Sequence, residues 1–266
     1  MPDNHFIRRI AAVATVAALA AFGSLHANAA EPALAPPAPG PIKNVVLVHG
    51  LYADGSSWGK VIPLLQARGL HVTAVQNPTT SLEDDAAAVR RTLALQDGPT
   101  VLVGHSWGGM VISEAGNDPK VASLVYIAAR APDAGEDYPA LAKRFPAAAA
   151  GAGLQWNKDG FGALSEQAFV QDFAGDLPRT EALVYYAVQQ RVGKAVMQAK
   201  TTVAAWRQKP SWYAVSSADR TIDPELQRFM ARRMKATIVE LPASHASLLS
   251  RPAEVAELIV AATRAH

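Results

Sequence analysis

Six short runs of apolar residues recur along the chain, and stretches with helical spacing lie between most of them. The runs cover residues 45–48, 71–76, 100–104, 121–128, 212–217 and 237–241. The first run, Val45-Val46-Leu47-Val48, is apolar at every position, which is typical of a strand buried on both faces of a sheet. This alternation predicts an α/β fold, with a mostly parallel sheet of about six strands and helices on both faces.

Helix signals lie where this pattern needs them. Ser81 and Asp84 resemble a capping box that opens a helix ending near Gln96. The pattern also predicts helices over 61–68 and 107–116, one that starts at 223–225, and a last one that starts at 250–252.

Residues 131–209 interrupt the alternation after the fourth apolar run. The segment has helical patches, several aromatic residues and no clear strand. An insertion of this length between two strands of one sheet is more typical of a lid than of a loop. We therefore predict a helical lid over residues 131–209.

The first 29 residues have the pattern of a secretory signal peptide. Arg8 and Arg9 precede an uncharged run over residues 10–23, and Ala27-Asn28-Ala29 offers a small-x-small cleavage site. The run is shorter than the roughly 20 residues of a membrane-spanning helix, which favours a cleaved signal over an anchor. We expect cleavage after Ala29 and no stable membrane anchor afterwards. The mature protein would be periplasmic or secreted.

A proline-rich linker over residues 30–42 is expected to join the cleavage site to a folded domain over residues 43–266. The composition limits what this domain does. Its net charge of +2 argues against nucleic-acid binding, and the lack of cysteine excludes disulfides and thiolate chemistry. The sequence has no metal-ligand cluster, dinucleotide fingerprint or phosphate-binding lysine loop. We therefore expect no metal and no cofactor.

A candidate nucleophile follows the third apolar run. Gly104-His105-Ser106-Trp107-Gly108 fits the pattern Gly-x-Ser-x-Gly, and it lies between a predicted buried strand and a predicted helix. In that setting the glycines permit a strained turn that lifts the serine hydroxyl above the sheet edge. The alternative is a glycine-rich capping turn with an incidental serine.

A serine nucleophile needs a base, and the base needs an orienting acid; here the expected chain order is serine, acid, histidine. Asp219 follows the fifth apolar run and His245 follows the sixth. Both would then leave strand ends at the same sheet edge as Ser106. Asp223 is an alternative acid, although its position suits a helix N-cap.

An oxyanion hole requires two backbone N–H donors directed at the developing charge. The amide of Trp107, directly after the candidate nucleophile, is expected to supply one of them. The amide of Leu51 is the best candidate for the other, with Tyr52 as the alternative. His49 and His105 lie in the same turn motifs and are expected to brace the loops.

Five motifs together resemble the α/β-hydrolase superfamily, and in particular its small bacterial esterase-like branch, which is related to plant methylesterases and hydroxynitrile lyases. The motifs are Val-Leu-Val-His-Gly at 46–50, Asp-Gly-Ser-Ser-Trp at 54–58, Gly-His-Ser-Trp-Gly-Gly at 104–109, Ser-Ala-Asp-Arg-Thr-Ile at 217–222 and Ser-His-Ala-Ser at 244–247. The resemblance implies an α/β-hydrolase fold over residues 43–262. It also implies cofactor-free hydrolysis by Ser106, Asp219 and His245, with the oxyanion bound by the amides of Leu51 and Trp107.

These features predict a carboxylic-ester hydrolase that acts on a small-molecule ester. A small or aromatic ester is favoured, and Tyr52, Trp107 and Trp206 are candidates for substrate binding, although such aromatic residues also occur as plain core. A hydroxynitrile lyase or a haloperoxidase-like perhydrolase would use the same three catalytic residues. A ligand-binding protein with slow turnover is the alternative from a different class.

Overall fold

The computed structural model describes residues 42–264, which contain two sheets. The strands are β1 (Asn44–Val48), β2 (His71–Val75), β3 (Thr100–His105), β4 (Val121–Ile127), β5 (Leu154–Trp156), β6 (Phe161–Leu164), β7 (Val192–Gly193), β8 (Ser211–Ser216) and β9 (Thr237–Leu241). The main sheet has the order β2-β1-β3-β4-β8-β9, and every neighbouring pair in it is parallel. The predicted parallel sheet of six strands is confirmed.

Helices cover both faces of this sheet. The α-helices are α1 (Ile62–Gln66), α2 (Leu82–Ala94), α3 (Gly108–Ala115), α4 (Tyr138–Ala142), α5 (Glu166–Ala168), α6 (Arg179–Ala187), α7 (Pro224–Arg233), α8 (Ser247–Ser250) and α9 (Pro252–Ala262). The connections β1–α1–β2 and β2–α2–β3 run in opposite directions across the sheet, so right-handed crossovers put α1 and α2 on opposite faces. Helix α9 packs with α1, and α3 packs with α2.

The buried strands position the site. Every residue of β1 and of β3 is buried, because helices cover both faces of these central strands. Since all six strands are parallel, the loops that follow β1, β3, β8 and β9 leave the sheet at one edge. That edge therefore gathers four loops that are far apart in the sequence.

The predicted insertion lies between β4 and β8, but the prediction that it is helical is wrong in part. It contains helices α4 to α6 together with a small antiparallel sheet of β5, β6 and β7. These strands have only two to four residues, and β5 and β6 are partly exposed. Strands this short show no periodic pattern that distinguishes them from loops.

The expected signal peptide and nearly all of the expected linker lie outside the described residues. Within residues 42–264, no helix combines the length and apolar character that crossing a membrane requires.

Candidate active site

Ser106 lies in a strained turn between β3 and α3. Its φ angle is 55°, in the left-handed region that residues with a side chain rarely adopt. A Cβ atom at position 104 would lie 2.5 Å from the carbonyl oxygen of Gly108, and one at position 108 would lie 2.6 Å from that of Val48. Both glycines are therefore needed for the close packing that presents Ser106 at the sheet edge.

Asp219 and His245 form a buried pair on the loops that follow β8 and β9. The Nδ1 atom of His245 lies 2.7 Å from Oδ2 of Asp219, and neither side chain is exposed to solvent. The same Oδ2 accepts a hydrogen bond from Nε2 of Gln227, also at 2.7 Å. Oδ1 accepts hydrogen bonds from the amides of Thr221 and Ile222. The Asp219 carboxylate is therefore held in one orientation by its own loop and by α7.

Asp223, the alternative acid, has a different position. Its Oδ1 accepts hydrogen bonds from the amides of Glu225 and Leu226, so it caps the N-terminus of α7. The structure therefore brings Asp219, and not Asp223, to the histidine.

The second ring nitrogen of His245 forms no hydrogen bond to Ser106 in this structure. Nε2 of His245 is buried and has no hydrogen-bond partner within residues 42–264. With Nδ1 donating its proton to Asp219, Nε2 carries the lone pair that a general base needs. The backbone oxygen of His245 accepts a hydrogen bond from Nε2 of His105 at 3.0 Å. Burial holds the pKa of His105 well below its ordinary value, so this neighbour stays neutral and braces the loop.

The loop after β1 runs directly against the turn that holds Ser106. A Cβ atom on Gly50 would lie 2.7 Å from Cβ of Ser106, so only glycine fits there. This contact brings the backbone of the following residue, Leu51, close to the candidate nucleophile. Trp107, which directly follows the serine, is the N-cap of α3. The two amides expected to bind the oxyanion therefore belong to segments that pack against Ser106 or follow it directly.

An aromatic side chain from the insertion, Phe173, packs against the ring of His245. The ring of Phe173 lies 5.0 Å from the ring of His245 and 6.5 Å from the ring of Tyr52, measured between centroids. The backbone oxygen of Phe173 accepts a hydrogen bond from the amide of Ala246. As a result His245 is fully buried and Ser106 is only 5% exposed. The site is closed in this structure.

Two further contacts tie the covering segment to the loops of the site. Asp176 accepts a hydrogen bond of 2.9 Å from the amide of Ser244, next to the histidine. Asp172 accepts one of 2.6 Å from Nε of Arg220, next to the acid. Opening of the site therefore requires these bonds to break or to move with the loops.

Tyr52 lies beside Phe173 at the edge of the site. Burial raises the pKa of its hydroxyl to about 12, against an opposing effect of the positive charge of Arg130. Tyr52 is therefore neutral at physiological pH.

The predictions for the side chains of Trp107 and Trp206 are corrected. The Trp107 indole is fully buried and donates a hydrogen bond of 2.7 Å to Asp85 on α2, so it points into the core. The Trp206 indole donates to the carbonyl of Pro132, and its ring packs against the guanidinium group of Arg233. Both rings are structural, because tertiary hydrogen bonds fix their directions.

Sequence reasoning missed four residues around the site: Asp85, Arg130, Phe173 and Gln227. Asp85 and Gln227 could have been found from the sequence, since they interrupt the apolar faces of α2 and α7. Arg130 could also have been found, because it follows β4 at the same sheet edge as the site. Phe173 could not, because its position depends on how the insertion folds back.

The arrangement gathers a serine in a strained turn and a buried histidine–aspartate pair at one edge of the sheet. Within residues 42–264 no group of three or more histidine, aspartate or glutamate side chains has the geometry to hold a metal ion. The chemistry that these residues can perform is nucleophilic attack by serine with general-base assistance.

Comparison with known proteins agrees with the fold. The chain is 26% identical over 254 residues to "Esterase PIR7B" of Oryza sativa subsp. japonica, which covers 82% of this chain and 94% of the relative. It is 28% identical over 248 residues to "Pyrethroid hydrolase" of Sphingobium wenxiniae, with 82% and 86% covered. The crystal structure of polyneuridine aldehyde esterase superposes with a TM-score of 0.73 at 21% identity, covering 83% of this chain and 98% of that one. The model of the alpha/beta hydrolase family matches residues 45–258, and the chain belongs to that family.

Proposed function

We propose that this protein hydrolyses carboxylic esters through an acyl-enzyme on Ser106. The observation that carries the proposal is the buried hydrogen bond between His245 and Asp219, on the sheet edge where the strained turn presents Ser106. The names of the relatives support ester hydrolysis, because they include an esterase and a pyrethroid hydrolase.

In the proposed acylation step these groups act together. Oγ of Ser106 attacks the ester carbonyl carbon while Nε2 of His245 takes its proton, and Asp219 stabilises the imidazolium that forms. The carbonyl oxygen becomes an oxyanion that accepts hydrogen bonds from the amides of Leu51 and Trp107. Collapse of this intermediate breaks the bond to the alcohol oxygen, which takes the proton from Nε2 as it leaves.

Deacylation repeats these steps with water. Nε2 of His245 takes a proton from water as the water oxygen attacks the acyl carbon. The second oxyanion collapses, the bond to Oγ of Ser106 breaks, and the serine regains its proton from Nε2. The products are a carboxylic acid and an alcohol, and the protein returns to its starting state.

The substrate proposed for this site is a small or aromatic ester, with residues 131–209 acting as a lid. Phe173 and Tyr52 provide an aromatic border beside the histidine, and this border supports an apolar group on the substrate. The closed arrangement supports a lid, because an ester can reach Ser106 only after the covering segment moves.

Turnover of 4-nitrophenyl esters from acetate to octanoate by the purified protein tests the proposal. The matched control is Ser106→Ala, and Ser113→Ala on the same helix controls for loss of a buried hydroxyl. We expect Ser106→Ala to abolish turnover and Ser113→Ala to keep most of it. Serine-independent turnover would refute the mechanism. Labelling of Ser106 by an organophosphate without ester turnover would redirect the assignment to cyanohydrin cleavage or peracid formation.

We also infer that the protein is exported, with its signal removed after Ala29. The charged start, the short apolar run and the small-residue site support this proposal. Intact-mass measurement of the protein from the periplasm and from the medium tests it. A mass that matches a chain starting at Ala30 supports export, and an uncleaved chain in the cytoplasm refutes it.

A further inference from the structure

Arg130 lies directly beside the turn that carries Ser106. It is the third residue after β4, and its backbone amide donates a hydrogen bond of 2.9 Å to the carbonyl oxygen of Ser106. Its own backbone also packs so closely on Gly109 of α3 that no side chain fits at that glycine. The position of Arg130 is therefore fixed relative to the candidate nucleophile.

The guanidinium group of Arg130 borders a cavity of about 350 Å³. It lies 4.9 Å from the ring centroid of Tyr138 and 5.7 Å from that of Trp107. Thr221 and Ile222 form part of the same cavity wall, and their amides are the ones that bind Asp219. The cavity therefore adjoins the loop of the acid, and its wall includes Arg130, whose backbone contacts the turn of the nucleophile.

Arg130 has no carboxylate partner, although it is partly buried. Among residues 42–264, four arginines are partly buried: Arg130, Arg228, Arg233 and Arg251. The last three each form an ion pair with a glutamate. Arg130 forms none within residues 42–264, and its buried Nε atom has no hydrogen-bond partner there. A partly desolvated guanidinium group without an anion is costly, and a carboxylate matches its paired N–H donors.

The net charge of the cavity lining favours the binding of an anion. Lys143 and Asp223 also border it, so its lining carries two positive charges and one negative charge, or +1 in total. Oδ1 of Asp223 is occupied by two amides at the start of α7, so this carboxylate serves the helix. The remaining wall is largely apolar, with Ile222 and Phe145 among its residues. Such a pocket suits a short apolar chain that ends in a carboxylate.

We propose that Arg130 binds a carboxylate on the substrate, so that the preferred esters are monoesters of short dicarboxylic acids. This inference rests on the proposed ester hydrolysis at Ser106. Arg130 takes no part in bond breaking. It positions the acyl chain by binding its free end, and the two aromatic rings hold the guanidinium group in place.

The first test compares two matched series of 4-nitrophenyl esters on the full protein. One series is the monoesters of succinic, glutaric and adipic acids, and the other is butyrate, pentanoate and hexanoate. We expect Arg130→Met to lower kcat/KM for the anionic series by about 10-fold to 100-fold, mainly through KM, and to change the neutral series by less than about threefold. Arg130→Lys retains part of the preference because it keeps the charge.

Lys43→Met is the matched control, because it removes an exposed positive charge directly before β1, at the opposite edge of the sheet and away from this cavity. We expect it to change either series by less than about threefold, as a screened surface charge does. Equal losses for both series in Arg130→Met would show that the cation–π contacts are purely structural and would overturn the proposal. Unchanged rates for both series would overturn it too.

A binding measurement separates this proposal from the proposed function. Calorimetry with pentanoate and with neutral pentanamide needs no turnover, and it can be run on Ser106→Ala and on Ser106→Ala/Arg130→Met. We expect pentanoate to bind more tightly than pentanamide, and we expect the added Arg130→Met substitution to remove this difference. If the protein hydrolyses neutral esters but shows no such difference, the anion site is refuted and the esterase stands. If Ser106→Ala does not impair turnover, the esterase mechanism itself fails.

Discussion

The indole nitrogen of Trp107 donates a hydrogen bond of 2.7 Å to the carboxylate of Asp85, which is fully buried on α2. The same carboxylate accepts hydrogen bonds from the amide of Thr79 and from the side chain of Asn77. Trp107 is also the residue whose amide is expected to bind the oxyanion. Asp85 therefore connects α2 to the turn of the nucleophile.

We predict that Asp85→Ala destabilises the protein by about 2 to 4 kcal/mol, because it leaves three buried donors without an acceptor. We also expect kcat to fall, since the backbone of Trp107 loses its side-chain anchor. Urea unfolding and ester kinetics on the same preparation measure both effects.

The neighbouring Asp84 provides a matched control for this prediction. It is exposed and bonds only with residues at the start of α2, through Thr80 and Ser81. Asp84→Ala should therefore have a much smaller effect on stability and should leave kcat unchanged. Equal effects of the two substitutions would show that Asp85 has no special link to the site.

Because the backbone of Ser106 is left-handed, we expect substitutions at this position to change the stability of the protein as well as its activity. Ser106→Gly should be more stable than Ser106→Ala by about 1 kcal/mol, because only glycine adopts this φ angle without strain. Both variants should lack ester turnover. Urea midpoints of the two variants, with equal slopes, measure the difference; a less stable glycine variant would show that the turn is not strained.

The orienting acid is tested by two neighbouring aspartates. Asp219→Asn should lower kcat by about 100-fold to 10,000-fold, because the amide no longer stabilises the imidazolium of His245. Asp223→Asn should change kcat by less than about threefold, since asparagine also caps helices. Comparable losses in both variants would contradict the assignment of Asp219.

We expect the folded state to lose stability in acid because of two buried histidines. Burial lowers the folded-state pKa of His49 and of His105 below the ordinary value of 6.5, which the unfolded chain regains. Below about pH 6.5 the unfolded state therefore binds more protons than the folded state, and unfolding becomes easier as the pH falls. Above that pH the two histidines cause no such loss of stability. Each histidine lowers the free energy of unfolding by up to about 1.4 kcal/mol for each pH unit below that value.

Urea unfolding between pH 7.5 and pH 5.0 measures this loss. His105→Gln removes one of the two titrating groups, so its stability should depend less steeply on pH than that of the natural protein, even if it is less stable at pH 7.5. An unchanged pH slope in His105→Gln would show that His105 does not carry the effect.

Periodicity alone was enough to determine the central sheet. Each of the six predicted strands agrees with the structure to within one residue at either end, for example 237–241 for β9. For β1 and β3 the reason is physical, because a parallel strand covered on both faces must be apolar along its whole length, and every residue of these two strands is buried. The short strands β5 to β7 lacked this constraint, and they were missed.

The sequence by itself also determined which loops carry the chemistry, because parallel strands deliver Ser106, Asp219 and His245 to one edge. Only the tertiary structure decided where the surrounding side chains point. Trp107 stands next to the nucleophile in sequence, yet a hydrogen bond to α2 turns its ring into the core. Phe173 is far from His245 in sequence, yet it covers the histidine ring. Such directions depend on contacts between distant segments, and no local pattern encodes them.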